Sequence, residues 1–167
     1  MIRRARIGSI TFADFVELIR EDQKADLIDG AIHLASPENI EHGDLIFWLG
    51  KLLDRFVGKR KLGKVMMNRI AYRLSDHTAP EPDVAFVCTA RLGLVKKNHV
   101  AGAPDLAVEI VSPESVERDY EAKRLKYEEA GVQEYWIIDP EDQTVLFFVR
   151  GQEGFEEAAP DSQIFRS

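Results

Sequence analysis

The chain has a single cysteine, Cys88, in 167 residues. One thiol excludes an intramolecular disulfide framework, so core burial must hold the fold together. No apolar run approaches the roughly 18 residues that would cross a bilayer. The basic start, MIRRARIGSI, has no apolar stretch of the secretory kind. The expected location is the cytoplasm, with no membrane partner. Positive charge is also scarce: 22 Lys and Arg stand against 29 Asp and Glu, a net charge of −7. A protein that coats nucleic acid over its whole surface is usually basic, so any such contact here is local. There is no G-x-x-x-x-G-K-[ST] loop, no nucleophile elbow, no repeat and no linker.

What is present suits one globular domain over residues 1–167, with 45% hydrophobic and 31% charged residues. TFADFVELIR reads as a helix capped by Thr11, with Phe12, Phe15, Val16 and Ile19 on one stripe. ADLIDGAIHLAS reads as a hairpin turning at Asp29-Gly30. EHGDLIFWLGKLLDRFVGK is a second amphipathic helix, with Leu45, Leu49, Leu52, Leu53 and Phe56 assigned to the core. KVMMNRIAYRL alternates like a strand, and SDHTAPEP is a loop. PDVAFVC and PDLAVEIVS are short apolar strands, each opened by Pro-Asp. ESVERDYEAKRLKYEEAG is a helix closed by Gly131, followed by strands EYWIIDP and TVLFFVR and an edge strand near the C-terminus. This order predicts an α/β (α+β) domain: a mixed central sheet flanked by helices, with parallel strands in the unit Asp105–Ile138.

Glu109 lies inside one of those apolar strands and shares a face with Ala107 and Val111. A desolvated carboxylate takes up a proton or finds a cation. Asp83 opens the other strand, and if the two strands are neighbours the carboxylates converge. A divalent cation would relieve their repulsion, and oxygen-only ligation favours Mg2+ or Mn2+. The plainer reading is a turn hydrogen bond for Asp83 and an Arg69 or Arg73 partner for Glu109. Asp119 and Lys123, one turn apart, are either a surface ion pair or a pair packed back onto the acids.

Taken together, EPDVAFV, GAPDLAVEIVSPES, DYEAKRLKYEEAGVQEYWIIDP and ADLIDGAIHLASPENIEH resemble the Uma-type family of restriction endonucleases, in the PD-(D/E)xK superfamily. The resemblance spans about residues 11 to 150. It implies a restriction-endonuclease-like core, with Asp83 and Glu109 as the two acids of the motif, 26 positions apart. The superfamily lysine two residues after the second acid is replaced by Val111, and the resemblance moves its role to Lys123. It implies Mg2+ or Mn2+ held by Asp83, Glu109 and the Ile110 backbone carbonyl. Asp26, where the family carries glutamate, would serve a second metal. Ser112 and Asp119 would fix Glu109 and Lys123. His42 is either a contact to phosphate or metal near Asp26, or a helix-end histidine bonded to backbone.

The implied activity is Mg2+-dependent endonucleolytic hydrolysis of phosphodiesters in nucleic acid, DNA in the first place. Self-association is left open. A nuclease-fold binding module without turnover, serving a defence or mobile-element system, is the competing reading. A phosphodiesterase for small nucleotides is a third. GKRKLGK (58–64) and RLGLVKK (91–97) read as solvated basic runs or phosphate contacts, His77 and His99 as solvated loop residues, and Trp48 and Trp136 as core.

Overall fold

The computed structural model describes residues 10–20, 23–36, 39–67 and 69–159. Helix α1 (Phe12–Leu18) begins with a capping box: the Asp14 N–H donates to Thr11 Oγ1, and the Thr11 N–H donates to Asp14 Oδ2. Phe12 and Phe15 are buried, but Val16 is 47% exposed and leaves the expected stripe. Strands β1 (Ala25–Ile28) and β2 (Ala31–Leu34) form the expected hairpin. Asp29 and Gly30 both take positive φ, 49° and 76°, the geometry a two-residue turn needs to match strand twist. All four β1 residues are buried, because the segment around Ala79 closes over the edge away from β2.

Helix α2 (Ile40–Arg60) starts at Asn39, whose Oδ1 accepts from the His42 N–H, and ends at Lys61 in the left-handed region. Its buried face is Ile46, Leu49, Gly50 and Val57, with Leu45 and Leu53 half-buried beside it. Leu52, Phe56 and Trp48, expected in the core, are 51%, 48% and 62% exposed. Apolar residues lie on more than one face of this helix, so periodicity alone could not select the face that meets the sheet.

The remaining strands are β3 (Gly63–Met67), β4 (Ala71–Tyr72), β5 (Val84–Cys88), β6 (His99–Val100), β7 (Leu106–Ile110), β8 (Glu134–Asp139), β9 (Thr144–Arg150) and β10 (Phe155–Glu157). The central sheet runs β10-β9-β8-β7-β5-β3, with β7 and β8 parallel and every other pair antiparallel. This is the predicted mixed sheet, and β10 is the predicted edge strand; residues 160–167 lie outside the described set. Between β7 and β8 the chain makes a π-helical turn (Arg118–Lys123) that continues into α3 (Arg124–Glu129). Gly131, just past its end at φ 84°, turns the chain toward β8.

Strand alternation sorts the two cores. Leu106, Val108 and Ile110 join Val84 and Trp136 in the cluster against α2. Ala107 and Val111 join Tyr127, Tyr135 and Ile137 in the cluster against α3. Glu109 therefore points to the α3 side. Trp136 is buried with Phe147 edge-on at 5.2 Å. His99 belongs to β6 and is half-buried, its ring 5.1 Å from that of Phe12, and is not a solvated loop residue. His77 does lie in an exposed loop, with Nδ1 donating to the Ile10 carbonyl at 2.9 Å. Among the described residues no helix is long and apolar enough to cross a membrane.

Candidate active site

Strands β5 and β7 pair with Val84 opposite Val108 and Ala85 opposite Ala107. One step further along that register, Asp83 stands opposite Glu109, on the same face of the sheet. Both are 1% exposed. Asp83 Oδ2 accepts the Ile110 N–H at 2.7 Å, and Asp83 Oδ1 pairs with the Lys24 ammonium. The Ile110 carbonyl accepts from His42 Nε2 at 2.8 Å, so that ring nitrogen carries the proton. The same nitrogen lies 3.7 Å from Asp83 Oδ2. Asn39, by capping α2, sets the helix end that delivers His42.

The π-helical turn widens the helix where it faces the sheet and buries Asp119 and Lys123 together, each 2% exposed. Lys123 Nζ lies 3.0 Å from Glu109 Oε2, 3.1 Å from Asp26 Oδ2 and 3.2 Å from Asp119 Oδ1. Three carboxylates thus surround one ammonium. Tyr127, one turn further on, donates its hydroxyl to Glu109 Oε1 at 2.9 Å. The Tyr135 hydroxyl donates to the Asp119 carbonyl at 2.7 Å and holds the turn to β8. Asp26 Oδ1 accepts the Glu81 N–H at 2.8 Å, Glu81 Oε2 accepts the Ala25 N–H at 3.2 Å, and Arg118 Nε is 3.2 Å from Asp26 Oδ2.

The charges in this cluster do not balance. Among the described residues, five acids (Asp26, Glu81, Asp83, Glu109, Asp119) meet three fixed cations (Lys24, Arg118, Lys123), and would be two positive charges short with every acid ionised. The shortfall appears in the acids with least support. Burial pushes Glu81 up to about 7, against the opposing Ala25 N–H. Burial likewise pushes Glu109 up to about 8: Lys123 opposes the rise, while Asp119 and Asp83 add to it. Burial would also raise Asp26, but Lys123, the Glu81 N–H, Lys24 and Arg118 outweigh it and hold its carboxyl below the usual range. Lys123 is held well above the usual lysine range because Asp119, Asp26 and Glu109 together outweigh its burial. Lys123 is therefore the fixed charge, and Glu109 the acid left in want of a cation.

Asp83, Glu109, Lys123, Ile110, Asp26, Asp119, His42 and Ser112 all line one cavity of about 340 Å³. Contacts refine several expectations. Glu109 is met by Lys123 and Tyr127, where the plainer reading offered Arg69 or Arg73. The Ser112 hydroxyl bonds Ser115 Oγ at 3.0 Å and shapes the turn into the helix, with no bond to Glu109. The basic runs at 58–64 and 91–97 contribute no residue to the cavity lining, and Arg91 is tied to Asp105 at 2.9 Å.

Lys24, Glu81, Arg118, Tyr127 and Tyr135 were not foreseen. Three carried a periodic signal. Lys24 precedes Asp26 by two in an extended segment, Glu81 precedes Asp83 by two, and Tyr127 follows Lys123 by four.

Among the described residues no three His, Cys, Asp or Glu side chains are grouped to hold a metal ion. The donors present are two carboxylates and a backbone carbonyl: Asp83, Glu109 and Ile110. All are hard oxygens in a cluster with more acids than fixed cations, which suits Mg2+ or Mn2+ in kind.

Comparison with known proteins places this geometry in context. The Uma2 family model, described as "Putative restriction endonuclease", matches residues 12–164. A crystal structure titled as a putative nuclease belonging to DUF820, from Anabaena variabilis, superposes with a TM-score of 0.77 at 22% identity. The match covers 95% of this chain and 90% of that one, and shows a shared fold. A search of curated proteins gave no match.

Proposed function

The chain belongs to the Uma2 family, and on that premise we propose that it is a metal-dependent endonuclease hydrolysing phosphodiester bonds in DNA. The observation that carries this reading is the buried meeting of Asp83, Glu109 and Lys123 in one cavity. Asp83, Glu109 and the Ile110 carbonyl would hold Mg2+ or Mn2+, which when bound supplies positive charge to the phosphate and acidifies a water.

The protein's own groups do the rest. Asp119 and Asp26 hold the Lys123 ammonium beside Glu109, where it stabilises negative charge developing on the phosphoryl group. Held there by its carboxylate neighbours, it is a fixed positive charge that need not be recruited as that charge appears. Tyr127 fixes the orientation of Glu109, and the Ile110 N–H fixes that of Asp83. His42 orients the Ile110 carbonyl. Asp26 contacts Lys123, Arg118 and the Glu81 N–H, so its part is to position Lys123.

A second reading is a nuclease-fold binding module without turnover. The Lys24–Asp83 pair and the net charge of −7 favour it, since both hinder approach of a metal-bound polyanion. Incubating the protein with supercoiled plasmid and with short single strands, under Mg2+ and under Mn2+, separates the two. Cleavage by wild type and none by Asp83→Ala supports the nuclease. Binding without cleavage under either metal supports the module.

A further inference from the structure

We infer that Lys24 is an exchangeable counter-ion: its ammonium occupies the cation position at Asp83 and leaves when a divalent cation enters. The inference rests on the cluster being a cation site, as proposed above, and assigns a role to a residue outside the family motif.

The two oxygens of Asp83 are not equivalent. Oδ2 is held by the Ile110 N–H at 2.7 Å, a bond built into the backbone. Oδ1 is the oxygen that Lys24 takes. A cation shared by Asp83 and Glu109 must therefore compete with the Lys24 ammonium.

The two lysines of the cluster differ in how firmly they are held. Lys123 contacts three carboxylates and its side chain is 3% exposed. Lys24 contacts one carboxylate, and its side chain is 14% exposed at the cavity wall. Its backbone is anchored independently of its ammonium, its carbonyl accepting the Ala35 N–H at 3.0 Å, so the side chain can swing without disturbing β1. Its four-carbon stem is flexible and its charge is a single point, and both features suit exchange.

Charge gives the exchange a direction. A divalent cation at Asp83 and Glu109 brings one positive charge more than the ammonium it replaces, in a cluster that holds five acids and three fixed cations. Lys24 thus supports the metal-free fold and opposes metal binding. A lysine with a purely structural role would support both.

The test is Lys24→Met, which keeps the stem and removes the charge. Mn2+ binding is measured by titration calorimetry and melting is followed in EDTA. The variant is expected to bind Mn2+ on the order of tenfold to a hundredfold tighter, the scale on which a neighbouring charge changes a carboxylate's ligand affinity. In EDTA it melts below wild type. A folded variant that binds Mn2+ no tighter than wild type overturns the inference and leaves the cation site standing. If neither protein binds Mn2+, both fall together. Amine-reactive labelling of the unsubstituted protein gives a second measurement that needs no variant to fold. Lys24 is expected to gain reactivity when Mn2+ is added while Lys123 stays protected. Unchanged Lys24 labelling with Mn2+ bound overturns the exchange.

Discussion

Lys123 is the residue on which the two readings of this site differ most. On the helix surface it would be half of an i, i+4 pair of small value, and its loss would leave the fold intact. The structure buries it against three carboxylates. Lys123→Ala is therefore expected to lower cleavage by about a hundredfold or more, and also to cost about 3–5 kcal/mol by leaving buried charge unpaired. Urea unfolding in EDTA checks the second part. Lys126→Ala, which removes pairs to exposed Asp29 and Glu129, should cost under about 1 kcal/mol.

Glu81 gives a pH signature at the same scale. Its folded value of about 7 lies above its ordinary 4.5. As pH rises through 4.5 the unfolded chain releases this proton and the folded chain keeps it. Stability should therefore fall between about pH 4.5 and 7, by about 3 kcal/mol from this group, and level off above. Glu81→Gln, measured in EDTA, should flatten that part of the profile and be the more stable protein at pH 8. An unchanged profile would show that Glu81 ionises normally.

At the scale of elements, strands were more legible than helix faces. Alternation in DLAVEIVS put Glu109 on the correct face, because a strand offers only two sides. The chain from Asp105 to Ile138 yielded its parallel pair for a similar reason: a helix between two apolar strands has few ways to pack. Helix α2 was harder, since Trp48, Leu52 and Phe56 extend its apolar surface past the face that meets the sheet. Leu49→Ala should cost about 2–5 kcal/mol, whereas Leu52→Lys should change stability by less than about 0.5 kcal/mol. Equal losses in denaturant unfolding would return Leu52 to the core. The π-helical turn left no mark that hydrophobic spacing reveals, yet it is what buries Asp119 and Lys123 together. Lys24 and Glu81 share a spacing of two with Asp26 and Asp83, but that spacing does not name their partners. Their partners, Asp83 and Ala25, lie 59 and 56 positions away, and only the folded chain brings them together.

Across the whole molecule, an acidic protein holds a buried acidic cluster with too few cations of its own. The fold uses β5, β7 and the helix after β7 to set the acids, and the β1–β2 hairpin to brace them through Asp26 and Lys24. With a net charge of −7, the proposed function requires nucleic acid to be met at the site and not over a broad basic surface. Divalent cations should accordingly stabilise the fold by mass action, by about 2.7 kcal/mol at a hundred times the dissociation constant. Thermal melts with millimolar Mn2+ against EDTA check this, and a melting temperature indifferent to cations counts against the site.

The central claim is that Glu109 carries its buried charge for a metal and a phosphodiester. Glu109→Gln isolates it, because glutamine keeps the shape and removes the charge, while Asp26 and Asp119 continue to hold Lys123. The decisive measurement is the rate of plasmid nicking under Mn2+ by this variant and by wild type, each confirmed folded. The account predicts a folded variant whose nicking is about a hundredfold slower or absent. A folded Glu109→Gln protein that nicks at the wild-type rate would contradict it.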